Sequence, residues 1–140
     1  MTDLDDFLQT FVPRQVDAER ALLNGEAEGR NATWSHRDPV TLFGAQWSGS
    51  GWDELSEVFT WLADHWSKGN VDFELLAADV SGDLAYTVGY EHTSASLEGG
   101  PVQQFGIRVT HVYRREDGEW KIVHRHGDWL HTDPIKPATC

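Results

Sequence analysis

From Val71 to Leu130 the chain is written as four strand-length segments, residues 71–80, 84–95, 102–115 and 120–130, and this meander leaves few folds open. They are joined only by Ser81-Gly82-Asp83, Glu98-Gly99-Gly100-Pro101 and Glu116-Asp117-Gly118-Glu119, turns too short for anything but antiparallel pairing. What precedes them is mostly helical. Leu4, Phe7, Leu8, Phe11 and Val12 recur at helical spacing, and the pattern resumes beyond Pro13 with Val16, Leu22 and Leu23 before Gly25 offers a stop. A short helix is expected from Ala27 to Trp34, then a turn through Pro39, a strand over Val40–Phe43 and a loop at Gly49-Ser50-Gly51. The clearest amphipathic stripe follows in Leu55, Val58, Phe59, Leu62, Ala63 and Trp66, with Lys68-Gly69-Asn70 as its end. Helices followed by a meander predict an α+β fold in which helices cover one face of a curved sheet. Residues 1–130 form one domain in this reading, and 131–140 a C-terminal tail.

Charge narrows the partners. With 23 acidic against 11 basic residues the net charge is -12, the wrong sign for a nucleic acid backbone or an anionic membrane surface. No apolar run approaches the roughly 20 residues of a spanning helix, and MTDLDDFLQTF lacks the basic start of a secretory signal. A cytoplasmic location is expected. Cys140 is the only cysteine, which leaves no internal disulfide and no thiolate metal cluster.

The third strand segment separates its residues by face. Phe105, Ile107, Val109 and Tyr113 fall on one side, and Gln104, Arg108, Thr110 and Arg114 on the other. Taken alone, this pattern packs the apolar side against the helices. The same alternation puts His124, His126 and Asp128 beside Ile122, with Val123 and Arg125 opposite. The faces of His92 and His111 stay unassigned.

TWSHRDPVTLFG, then a helix, then AYTVGYEHTSAS and RVTHVYRREDGEWKIVHRHGDW, together resemble the NTF2-like superfamily in its SnoaL-like and DUF4440 branch, over residues 5 to 130. The final hairpin, RREDGEWKIVHRH, is also similar to the association domain of calcium/calmodulin-dependent kinase II. The resemblance implies a cone-shaped curved mixed sheet, mostly antiparallel, wrapped around N-terminal helices as a cystatin-like α+β barrel, with a pocket at its wide end. It also implies a homodimer through the outer sheet face, which would turn Phe105, Ile107, Val109 and Tyr113 towards the partner and Arg108, Thr110, His124, His126 and Asp128 into the pocket. The fold hosts isomerases, dehydratases, cyclases and proteins that only bind or assemble, so function rests on the site.

Arg37-Asp38-Pro39-Val40 is similar to the short sequence carrying the catalytic base of ketosteroid isomerase relatives, which implies Asp38 as a base. Read without the resemblance, Asp38 is a turn residue before proline. The chain departs from those relatives in having no tyrosine before Tyr86 and Thr110 where they carry a sheet aspartate, so a proton transfer other than steroid isomerisation is the implied chemistry. His124 and His126 are the expected acids or carbonyl polarisers. Trp34, Phe43, Trp47, Arg108, Thr110 and Asp128 are the expected substrate contacts. His124, His126 and Asp128 can also be read as metal ligands or as plain hydrogen-bonded residues. Ligands two apart on one strand are about 7 Å from each other and need a further element to close a site, so neither metal nor cofactor is expected. The expectation is a small-molecule-binding protein, as a cofactor-free isomerase, cyclase or dehydratase or as a non-catalytic binding or assembly domain.

Overall fold

Thr2 opens the chain's first helix, α1 (Asp3–Thr10), with a capping box: its hydroxyl accepts the Asp5 N–H at 3.1 Å while the Asp5 carboxylate accepts the Thr2 N–H at 3.3 Å. Pro13 lies in the first turn of α2 (Val12–Leu22), where its missing N–H leaves no helical bond unmade. Gly25, at φ 90°, follows the end of that helix. α3 (Glu28–Thr33) leads into β1 (Thr41–Phe43) and β2 (Ser48–Ser50), so the expected Gly-Ser-Gly loop is in part a short strand. The computed structural model describes residues 2–45 and 47–130; the expected tail, 131–140, lies outside the described residues.

α4 (Trp52–His65) ends one residue before Trp66, which begins β3 (Trp66–Ser81) instead of closing the helical stripe. The meander continues through β4 (Leu84–Leu97), β5 (Val102–Glu116) and β6 (Glu119–Trp129). Asp117 and Gly118, both at positive φ, make the tight turn between the last two strands. The sheet runs β2-β1-β6-β5-β4-β3, antiparallel except for the β1–β6 pair. Its outer strands, β2 and β3, do not pair with each other, so the curved sheet stays open and is not a barrel.

Helices cover one face, where Phe7, Phe11, Tyr113 and Trp120 meet edge to face around ring separations of 4.8 to 5.5 Å. Phe105, Ile107, Val109 and Tyr113 point to this helical side. The arrangement implied by the resemblance, with that row outermost, is therefore reversed: four large apolar side chains gain more against the helices than at the sheet's back.

A one-residue irregularity in β6 sets the other faces. Val112 pairs with His124 but Tyr113 pairs with Ile122, so Val123 is a bulge. Ile122 is wholly buried with Trp120, and beyond the bulge Arg125 and Gly127 take over the inward positions. His124, His126 and Asp128 face away from the helices, which corrects their expected sharing of a face with Ile122. Among the described residues no helix is long and apolar enough to cross a membrane.

Candidate functional site

The helix-facing side of the sheet and helices α2, α3 and α4 line a half-open cavity of about 140 Å3. Its walls are apolar. Leu42, Val58 and Leu62 form one side, and Trp66, Phe105 and Trp129 run along the other with 5.7 Å between successive rings. Trp47 and Trp129, 43% and 38% exposed, stand at its rim.

The floor is charged. Glu19 of α2, Arg30 of α3, Glu91 of β4 and Arg125 of β6 line the cavity, and none is more than 8% exposed. Arg30 grips Glu19 with Nε–Oε1 at 3.1 Å and Nη2–Oε2 at 2.6 Å, its guanidinium lying over the Phe59 ring. Arg125 grips Glu91 the same way, with Nη1–Oε2 at 2.8 Å and Nη2–Oε1 at 2.7 Å. These are the forked geometries in which a guanidinium matches a carboxylate best.

Strand register explains the second pair. Arg125 lies opposite His111 on β5, while Glu91 lies opposite Ile107, so the arginine must lean diagonally across β5 to reach β4. Gly127 makes room: a Cβ there would sit 3.1 Å from Ile107 and 3.5 Å from the Arg125 Nη2. Beneath the pair, His111 Nε2 is 3.3 Å from Arg125 Nη1 and Nδ1 is 3.4 Å from the Gln15 amide nitrogen. The Tyr113 hydroxyl donates to Gln15 Oε1 at 2.6 Å and lies 2.8 Å from Thr87 Oγ1.

Burial and these neighbours set the charges. Burial alone would raise the Glu91 pKa, but the Arg125 charge and hydrogen bonds override it and hold the carboxyl below its ordinary value. His111 is pushed well below an ordinary histidine, first by burial and then by the Arg125 charge, so the ring is neutral. Tyr113 is raised by burial and stays a phenol.

Glu19, Glu91 and His111 bring their ligand atoms within 4.8 Å of one another. The donor set does not suit a metal, however. Both carboxylates already hold guanidinium groups, and a cation placed among them would face two fixed positive charges.

The residues expected from sequence fall elsewhere. Arg108, Thr110, His126 and Asp128 border an open depression of about 380 Å3 on the outer face with Leu76 and Tyr90, and Arg108 pairs with Asp128 at 3.1 Å. Phe43, half exposed, stands between His124 and His126 at ring distances of 5.6 and 5.5 Å. His124 Nδ1 is 2.7 Å from Thr41 Oγ1, and burial followed by the neighbouring His126 lowers its pKa. The polar wall implied by the resemblance is thus on the side of the sheet away from the cavity. Asp38 is exposed and accepts the Trp52 N–H at 3.0 Å, the first amide of α4. Trp34, 1% exposed, is core against Phe59. Of the expected set only Trp47 borders the cavity, and Trp66, expected in a buried helical stripe, is a wall residue there.

Sequence reasoning passed over Glu19, Arg30, Glu91, His111 and Arg125. A signal existed on α2, where Gln15 and Glu19 occupy the stripe of Phe11, Ala18 and Leu22. Polar residues at buried positions are uncommon unless paired. On β4, Glu91 alternates in phase with Ala85 and Ala95, another charge at an inward position. Arg125 was hidden by the bulge.

The sequence matches the profile of a SnoaL-like domain over residues 17–128. A comparison with curated proteins finds no match. Among solved structures, an NTF2-like superfamily protein from Salmonella enterica serovar Typhimurium superposes with a TM-score of 0.80 at 15% identity, covering 96% of both chains. A ketosteroid isomerase-like protein from Erwinia carotovora atroseptica gives 0.73 at 16% identity, over 91% of this chain and 98% of that one. A protein with a cystatin-like fold from Caulobacter vibrioides gives 0.71 at 14%, over 94% and 92%. Identities this low speak for the fold alone.

Proposed function

The chain belongs to the SnoaL-like domain family, and from that premise we propose that its helix-side cavity binds a small organic molecule. One observation carries the reading: four almost fully buried charges line a cavity that is otherwise apolar. As core packing alone they are a poor choice, since hydrophobic residues of similar volume in place of a buried ion pair are often neutral or stabilising by about 1–4 kcal/mol. Next to a cavity they offer oriented donors and acceptors in a water-poor site, which is what ligand recognition uses.

A screen of single-ring compounds, followed through the indole N–H signals of Trp47, Trp66 and Trp129 by NMR, tests it. Binders should shift those signals, and Ile107→Phe, which narrows the cavity, should weaken them. If no compound moves any of the three, the cavity is not a binding site.

Cofactor-free proton transfer is the finer reading, and the juxtaposition of carboxylates with guanidinium donors favours it. Glu19 or Glu91 would take a proton beside a carbonyl while Arg30 or Arg125 held the developing oxyanion, in an isomerisation, cyclisation or dehydration. Against it stands the lowered pKa of Glu91, which makes a weak base. Loss of α-proton exchange of a bound ketone in Glu91→Gln and Glu19→Gln would mark catalysis there; loss in Asp38→Asn or His124→Ala, with both glutamate variants active, would move it back to the positions suggested by sequence.

The outer face suits a second copy of this chain. Phe43, Leu76, Leu84 and Tyr86 are each at least 44% exposed, and Leu76 borders the depression with Arg108, Thr110, His126 and Asp128. In this proposal those residues belong to a homodimer interface.

A further inference from the structure

The charges on the cavity floor cancel, and from this we infer a ligand class: an uncharged molecule of single-ring size, carrying one group that both accepts and donates hydrogen bonds, with a carboxamide as the matching group. The inference rests on the cavity being a binding site.

Two carboxylates face two guanidinium groups, and the His111 ring beneath them is neutral. An anion or a cation entering this floor finds its opposite charge already engaged in a two-point pair. It would lose its hydration shell without a counter-ion in return. The chain's charge of -12 adds a long-range field that opposes anions further.

The hydrogen-bonding capacity left over is mixed. Among the described residues, Arg30 Nη1 and Arg125 Nε have no hydrogen-bond partner, so donors remain available. Each oxygen of Glu19 and Glu91 accepts one bond from its arginine and keeps capacity for a second. A carboxamide answers both, its carbonyl taking a guanidinium N–H and its NH2 giving to a carboxylate.

Size and wall chemistry set the remainder. About 140 Å3 is close to an engineered apolar cavity of about 150 Å3 that takes up benzene. Trp66, Phe105 and Trp129 supply ring faces and edges.

Benzamide, benzoate and benzamidinium are nearly isosteric and carry charges of zero, minus one and plus one at pH 7. They are to be titrated into the intact chain, with the indole N–H signals of Trp66 and Trp129 as the readout. Benzamide is expected to bind at least tenfold more tightly than either ion. Glu91→Gln, which frees Arg125, should reverse the order in favour of benzoate. Tighter binding of either ion to the unaltered chain overturns the inference while leaving the cavity a binding site. If none of the three shifts the indole signals while another single-ring compound does, the carboxamide inference falls and the binding reading stands; if no compound shifts them, the binding reading itself falls. Should Glu91→Gln fail to fold, the three-ligand comparison on the unaltered chain decides alone.

Discussion

Arg125 and Glu91 show what one buried pair demands of its neighbours. The arginine needs Gly127 beside it to lean across β5, and burial together with the arginine's charge keeps His111 from taking a second proton. Replacing Arg125 by Met strands a buried carboxylate, and unfolding in urea should record a loss of about 3–5 kcal/mol. Arg125→Met combined with Glu91→Leu should recover most of it, because no unpaired charge remains. His111 adds a pH dependence. Its folded pKa lies well below 6.5, so as pH falls beneath that value the unfolded chain takes up a proton that the folded chain refuses. Stability is therefore lost on the acid side, with a slope of up to about 1.4 kcal/mol per pH unit from this residue. Glu91, lowered from 4.5, continues the loss at lower pH, as the unfolded carboxyl is protonated before the folded one. His111→Gln should flatten the curve between about pH 6.5 and 5; an unchanged slope would show that the ring is not the source.

Elements owe their placement to similarly local causes. Gly51 precedes α4 without a side chain to cap it, and Asp38 supplies the missing acceptor from the preceding loop. Asp38→Ala should cost about 0.5–2 kcal/mol, the worth of a cap, and leave cavity binding unchanged. A lost ligand response in a variant of normal stability would reverse that assignment. On β6 the bulge at Val123 keeps Ile122 and Arg125 both inward. Deleting Val123 leaves those faces intact and should give a folded protein, weakened by about 1–2 kcal/mol for the lost side chain. Deleting His126 instead turns Asp128 inward, and melting curves should show a far larger loss.

At the scale of the whole molecule, the two faces of the sheet divide the work. The helical side holds core and cavity, while the outer side exposes Leu76, Leu84, Tyr86 and Phe43 among charged residues. Sedimentation should find a dimer, and Tyr86→Glu should shift it to monomer without altering ligand response in the cavity. A monomeric unaltered chain would remove the interface proposal and leave the cavity untouched.

The strand-length runs, their turns and the N-terminal stripe were enough, read as sequence, to predict helices packed on a meander, since alternation, helical spacing and turn residues are local signals. The family likeness was legible in the same stretches. The candidate site was not, because its four charges come from α2, α3, β4 and β6 and meet only after the sheet has brought β6 within two strands of β4. Alternation also failed at Val123, where one extra residue turns a strand over with no mark in the sequence. Composition and periodicity determined which layers this chain can form. Register decided which face of the sheet each ionisable side chain reached, because pairing between distant strands, unlike a turn or a helical stripe, is a property of the folded whole.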